Sequence, residues 1–191
     1  MRLFVAVNFD DETKGRLCAV QNRIKKQAVR GNFSRPENFH LTLVFLGETA
    51  ADLVPELAGI IKNAVSAVNT THTALSAHNP CTINFSRTGC FRHSGKELWW
   101  IGPAPDNGPG LTILAELRRR IAAGFGEAGI PYDRRPFRVH ITLGREIKPS
   151  VPIVPPEEMI IVPLRRISLM NSEHTGNVLT YTEVAGWDVT L

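Results

Sequence analysis

Two nine-residue stretches decide how the chain reads: Arg35-Pro36-Glu37-Asn38-Phe39-His40-Leu41-Thr42-Leu43 and Arg135-Pro136-Phe137-Arg138-Val139-His140-Ile141-Thr142-Leu143. They agree at five of nine positions, the Arg, Pro, His, Thr and Leu. A match of that length can arise by accident in 191 residues, so its weight lies in what repeats. Histidine occurs only 6 times, and each copy sets one in an apolar run, two positions before a threonine. Side chains on a strand alternate between faces. His40 and Thr42 therefore share one face, with Leu41 and Leu43 behind them. His140 and Thr142 share a face in the same way, backed by Ile141 and Leu143. Two similar lobes facing each other would bring two imidazoles and two hydroxyls into one groove.

The surrounding pattern gives these strands a setting. Arg2 to Asn8 reads as a strand. Asp10, Asp11 and Glu12 sit where a helix wants its cap and first-turn acids. Leu17, Val20, Ile24 and Ala28 follow at helical spacing until Gly31. Phe39 to Leu46 is a strand ended by Gly47. Leu53, Leu57, Ile60, Ile61, Ala64 and Val68 mark a second helix. Thr73 to Phe85 is strand-like, broken by Asn79-Pro80, and Glu97 to Ile101 is a short strand. Gly102 to Gly110 is loop. Leu111, Leu114, Leu117, Ile121 and Phe125 mark a third helix, and Arg138 to Leu143 another strand. After a loop from Pro149 to Pro156, Met159 to Met170 and Val178 to Thr190 read as a closing pair of strands around a turn at His174-Thr175-Gly176-Asn177. Strict βαβ alternation fails at the end, so the expected class is α+β.

Composition narrows the function classes. Hydrophobic residues make up 43% and charged residues 21%, which is globular and excludes a disordered or fibrous chain. The size prior gives one domain or two closely joined lobes over 1–191, large enough for a core without staples. The longest apolar stretch, Leu41 to Gly47, is strand-sized, and the apolar opening is too short for a secretory signal. The expectation is a soluble, cytoplasmic protein with no membrane partner. Cys18, Cys81 and Cys90 are widely spaced and odd in number, so they read as free thiols rather than a disulfide frame or zinc site. No Walker-type glycine loop supports ATP chemistry. The net charge of +4 permits a phosphate-bearing partner without demanding one.

The doubled motif suits in-line displacement at phosphorus. The attacking and leaving oxygens lie on opposite sides of the phosphorus atom. One group must take a proton from the nucleophile and another must give one to the leaving group. Histidine does either near neutrality, with an unperturbed pKa of about 6.5, so two on opposite walls supply base and acid together. Threonine hydroxyls can donate to the non-bridging oxygens. The arrangement requires no metal and no cofactor. The spacing leaves open which histidine is the acid.

These residues resemble the paired His-x-Thr motifs of the 2H phosphoesterase superfamily, and within it the RNA 2′,3′-cyclic phosphodiesterases, also called 2′-5′ RNA ligases. The likeness extends to Met1-Arg2-Leu3-Phe4-Val5-Ala6-Val7, to Asn38 through Glu48, to Leu98-Trp99-Trp100-Ile101-Gly102 and to Pro136 through Arg145, which together span almost the whole chain. Val139 departs from the proline that often precedes the family's second histidine. The resemblance implies a two-lobed α+β fold of pseudo-twofold symmetry, with antiparallel sheets lining a central cleft and helices outside, forming a single catalytic domain over 1–191. It implies metal-independent hydrolysis of an RNA or nucleotide 2′,3′-cyclic phosphate end to a 2′-phosphomonoester. His40 would be the proton donor and His140 the proton acceptor, with Thr42 and Thr142 holding phosphate oxygens. The implied partner is RNA with a cyclic phosphate end, tRNA fragments among the candidates, and the implied state a monomer. Two other readings compete: ATP-independent 2′-5′ ligation at the same site, and an RNA-binding module without catalysis.

Arg145 is a further substrate-binding candidate. Strict alternation puts it on the face opposite His140, although Gly144 could let the chain turn. Phe45 stands in the same relation to His40, as core or, if the strand bulges, as a stacking surface. Trp99 and Trp100 cannot both face one side, so one is expected in the core. Arg134, Arg135 and Arg138 read as a basic rim. Arg118-Arg119-Arg120 reads as a solvated helix face. His72, His78, His93 and His174 read as surface or turn residues.

Overall fold

Asp10 shows how closely the local signals decide the first elements. After strand β1 (Arg2–Asn8) its carboxylate accepts a bond from the Thr13 N–H at 2.9 Å and starts helix α1 (Asp11–Lys26). Asp11 and Glu12 fill the first turn and Arg23, Lys25 and Lys26 the last, as the helix dipole favours. Leu17, Val20 and Ile24 form its buried stripe. The computed structural model describes residues 1–72, 81–93, 96–154, 156, 158–176 and 178–190. The remaining elements are β2 (Ala28–Phe33), β3 (His40–Glu48), α2 (Val54–His72), β4 (Thr82–His93), β5 (Lys96–Pro103), α3 (Gly110–Glu127), β6 (Ile141–Pro149), β7 (Ile160–Pro163), β8 (Arg166–Thr175) and β9 (Val178–Asp188).

The strands form two sheets, one of four in the order β3-β1-β8-β9 and one of five in the order β2-β6-β5-β4-β7. Every pairing is antiparallel. Helix α1 packs on β2, β6 and β7, while α2 packs on α3 and β9, and α3 on β3 and β4. The architecture is α+β, with one His-x-Thr motif at the start of a strand in each sheet and β3 approaching β6. One continuous core joins both sheets to the helices, with Phe39, Phe85, Phe125, Leu41 and Leu117 among its fully buried side chains. Burying each such side chain is worth roughly 1.5–3 kcal/mol. Phe39 also locks the 3-10 turn Pro36–Asn38 that delivers the chain to His40. No helix among the described residues is long and apolar enough to cross a membrane.

Three sequence expectations change. Ala28 does not extend α1, because Ala28–Phe33 is the edge strand β2, whose exposed middle shows no alternation. Gly31 lies against Ile147 there, where a Cβ would sit 2.8 Å from Cγ1. The strand carrying His140 begins at Ile141 and runs on to Pro149, so Arg138, Val139 and His140 precede the ladder. The stretch from Met159 to Met170 is two strands in different sheets, with β7 against β4 and β8 against β1. Pro163-Leu164-Arg165 carries the chain between them. Residues 73–80, including His78 and the Asn79-Pro80 break, lie outside the described residues, as do Ser94, Gly95 and Asn177.

Candidate active site

Each histidine is held by the backbone just before it. The Nδ1 of His40 lies 2.7 Å from the Asn38 carbonyl oxygen, and the Nδ1 of His140 lies 2.7 Å from the Arg138 carbonyl oxygen. A carbonyl only accepts, so both Nδ1 atoms carry hydrogen. Each ring therefore presents Nε2 as its working atom. In His40 that atom is 3.0 Å from the Thr42 hydroxyl, which confirms the shared face read from alternation. His140, Thr42 and Thr142 are half-buried, like His40.

Aromatic rings wall both imidazoles. Phe4 lies 4.9 Å from His40, and Tyr181 meets it edge-on at 5.0 Å. Phe91 meets His140 edge-on at 5.1 Å and itself packs on Trp100 at the same separation. Trp99 joins the main core instead, as the two-faced reading of the tryptophan pair requires. Trp100 lies flat over Gly89 and Gly102, at both of which a Cβ would collide with the indole. No motif or local periodicity marks Phe4, Phe91 or Tyr181 as site residues. They reach the site through strand pairing far apart in the chain.

Strict alternation fails in the same way in both motif strands. Against β1, Val5 pairs with Val44 and Ala6 with Thr42, so Leu43 is an extra residue. Against β5, Trp99 pairs with Gly144 and Trp100 with Thr142, so Leu143 is extra. Leu43-Val44 and Leu143-Gly144 are consequently both buried. A bulge of this kind re-aims every side chain beyond it. Phe45 thus joins the His40 face, packed with Phe4, Ala6, Met170 and Tyr181, with the Arg2 guanidinium 5.1 Å above its ring. Arg145 joins the His140 face, opposite Leu98, two residues from the Trp100–Thr142 pair.

Arg145 acts through its charge on side chains of both sheets. Burial lowers the pKa of His40 to about 4. The Asn38 carbonyl opposes this, and the positive charges of His140 and Arg145 add to it. Burial likewise lowers His140, opposed by the Arg138 carbonyl and aided by Arg145. Burial raises Tyr181, while Arg145 and Arg2 pull it back. One exposed guanidinium therefore acts on residues from both sheets, and no ion pair engages it among the described residues. Two neutral imidazoles beside an unpaired cation make a site that favours an anion.

Other candidates fall outside it. Arg135 is tied to Asp133. Arg134 lies 5.4 Å over Tyr132, and Arg138 lies 5.5 Å over Phe91, at the rim of the His140 wall. Arg120 of the arginine triplet is bound by Glu116, and Arg118 lies over Phe137. His72 is not a plain surface residue, since its Nε2 is 2.9 Å from Glu116 between α2 and α3. Among the described residues no three His, Cys, Asp or Glu side chains are grouped to hold a metal ion.

Two antiparallel sheets with a His-x-Thr strand in each make this a 2H phosphoesterase fold. Residues 11–158 match the 2′-5′ RNA ligase superfamily, and the chain belongs to that family. It is 32% identical over 160 residues, 82% of this chain and 73% of the other, to a Thermus thermophilus protein named RNA 2′,3′-cyclic phosphodiesterase. It is 29% identical over 157 residues, 81% of this chain and 77% of the other, to an Escherichia coli protein of the same name. In fold it is similar to the crystal structure of TT0787 of Thermus thermophilus, with a TM-score of 0.67 at 25% identity, covering 100% of this chain and 98% of that one.

Proposed function

We propose that the protein is an enzyme that hydrolyses RNA or nucleotide 2′,3′-cyclic phosphate ends to 2′-phosphomonoesters, without a metal. The observation that carries this reading is the pair of Nδ1-anchored imidazoles, one per sheet, flanking Arg145. The 32% relative's name points to the same reaction. The phosphate sits between the two Nε2 atoms, with Arg145 and the hydroxyls of Thr42 and Thr142 on its non-bridging oxygens. Nε2 of His140 accepts a proton from water as its oxygen attacks phosphorus. The P–O3′ bond breaks, and O3′ takes a proton from Nε2 of His40. The product keeps the phosphate on O2′, and one turnover leaves the proton roles exchanged until solvent resets them.

A ring whose free pKa is about 4 is a poor acid store at neutral pH. The substrate supplies the remedy, because an anion beside the imidazolium favours the charged form. His40 thus takes up its proton as the phosphate binds. The substrates proposed include tRNA fragments with cyclic phosphate ends, handled by a single two-lobed domain acting as a monomer.

The test is turnover of nucleoside 2′,3′-cyclic phosphates with chelator present, with the product's regiochemistry read by phosphorus NMR. His40→Ala and His140→Ala should each lower kcat by orders of magnitude. A substrate with sulfur at the 3′ bridging position separates the roles, since a thiolate leaves without a proton. It should rescue His40→Ala and not His140→Ala. Rescue of the other variant would reverse the assignment.

A further inference from the structure

The geometry points to a second phosphate-binding subsite, a groove beside β2 and β6 that takes the RNA backbone one nucleotide upstream of the cyclic end. This rests on the proposed reaction. The groove has a volume of about 870 Å³ and is lined by Arg30, Asn32, Ile147, Lys148, Glu97 and Glu146 among others. It begins where the catalytic face ends. Asn32 is the cross-strand partner of Arg145, and Arg30 that of Lys148.

Arg30 and Asn32 are two apart on β2 and so share a face. A second bulge, with Glu146 at φ 53°, brings Lys148 round to the Arg30 position. Arg145, Lys148 and Arg30 therefore form a cationic track on one face. Its step from the Asn32–Arg145 pair to the Arg30–Lys148 pair is two strand residues, about 6.6 Å. That step suits successive phosphates of an extended single strand.

All three cations are exposed, and no ion pair engages them among the described residues. The opposing charge is reduced, because Glu97 is already bound by Arg92 at 2.9 Å and by the Trp99 N–H at 3.4 Å. Glu146 is the remaining carboxylate. A mononucleotide fills only the Arg145 end of the track, whereas an RNA strand fills both ends. The groove would thus make the enzyme prefer oligonucleotide ends over free cyclic nucleotides.

Two measurements on the full chain test this. The first is kcat/KM on a nucleoside 2′,3′-cyclic phosphate. The second is binding of a fluorescent RNA hexamer ending in a 2′-phosphate, followed by anisotropy across a salt titration. The double variant Arg30→Gln with Lys148→Gln should bind the hexamer about tenfold more weakly, with a salt slope lower by about 0.7. Its kcat/KM on the cyclic mononucleotide should match the parent. Arg30→Lys with Lys148→Arg should restore hexamer binding, showing that charge rather than folding was lost. Unchanged hexamer affinity and slope in the Gln variant would overturn the subsite, whatever the turnover. Equal loss on mononucleotide and hexamer would also overturn it. Absence of mononucleotide turnover in the parent would instead overturn the proposed reaction.

Discussion

Replacing His40 with a side chain that does not titrate should change how stability depends on pH. The ring is half-buried between Phe4 and Tyr181, and burial brings its pKa to about 4. In the unfolded chain it titrates near 6.5. The native state therefore binds fewer protons at this group, so its contribution is fully present above about pH 6.5. It is lost as pH falls through about 4. The full difference is about 3 kcal/mol at ~1.36 kcal/mol per pKa unit. At pH 4.5 most of it is gone, roughly 2 kcal/mol once partial hydration of the ring is allowed for. Urea unfolding of the parent and His40→Gln at pH 7.5 and pH 4.5 isolates this contribution, since the other titrating groups are common to both. The parent's stability relative to the variant should fall by about 2 kcal/mol between the two. A constant gap, or an NMR titration placing His40 above pH 6, would refute the account of a dehydrated ring.

The bell of kcat/KM against pH, which reports free-enzyme groups, should peak below pH 6.5 because both imidazoles are lowered. The kcat profile should lie to higher pH, and coincident profiles would show that the anion does not load His40. Arg145→Gln removes a charge that lowers both histidines, so the NMR pKa of each should rise while kcat/KM falls about 10²-fold or more. Thr142→Val should cost about tenfold or more in kcat with little change in melting temperature. Gly89→Ala drives a methyl into the Trp100 ring and should destabilise the fold by about 1–3 kcal/mol in urea unfolding.

His40, Thr42, His140 and Thr142 were legible because a two-residue period and a repeated residue choice both survive in linear sequence. The helices were legible through Asp10, through Leu17-Val20-Ile24 and through the stripe from Leu111 to Phe125. β2 was not, since an edge strand with both faces wet carries no alternation. Nor were the bulges at Leu43 and Leu143. Each extra residue is an ordinary apolar one, and only the neighbouring strand reveals the skipped pair. That is why simple alternation puts Arg145 on the face opposite His140, whereas the bulge turns it to the same face. Phe4, Phe91 and Tyr181 belong to strands whose registers no local pattern encodes.

The matched bulges have a directional outcome. They bring forward the residue five past each histidine, and in one half that residue is a phenylalanine, in the other an arginine. A duplicated frame thus ends in two unlike sockets, one greasy and one cationic. A molecule with a flat ring at one end and a charged group at the other can enter such a frame only one way round. Whatever division of labour the two histidines keep, it is written in that pair of unequal neighbours rather than in the histidines themselves.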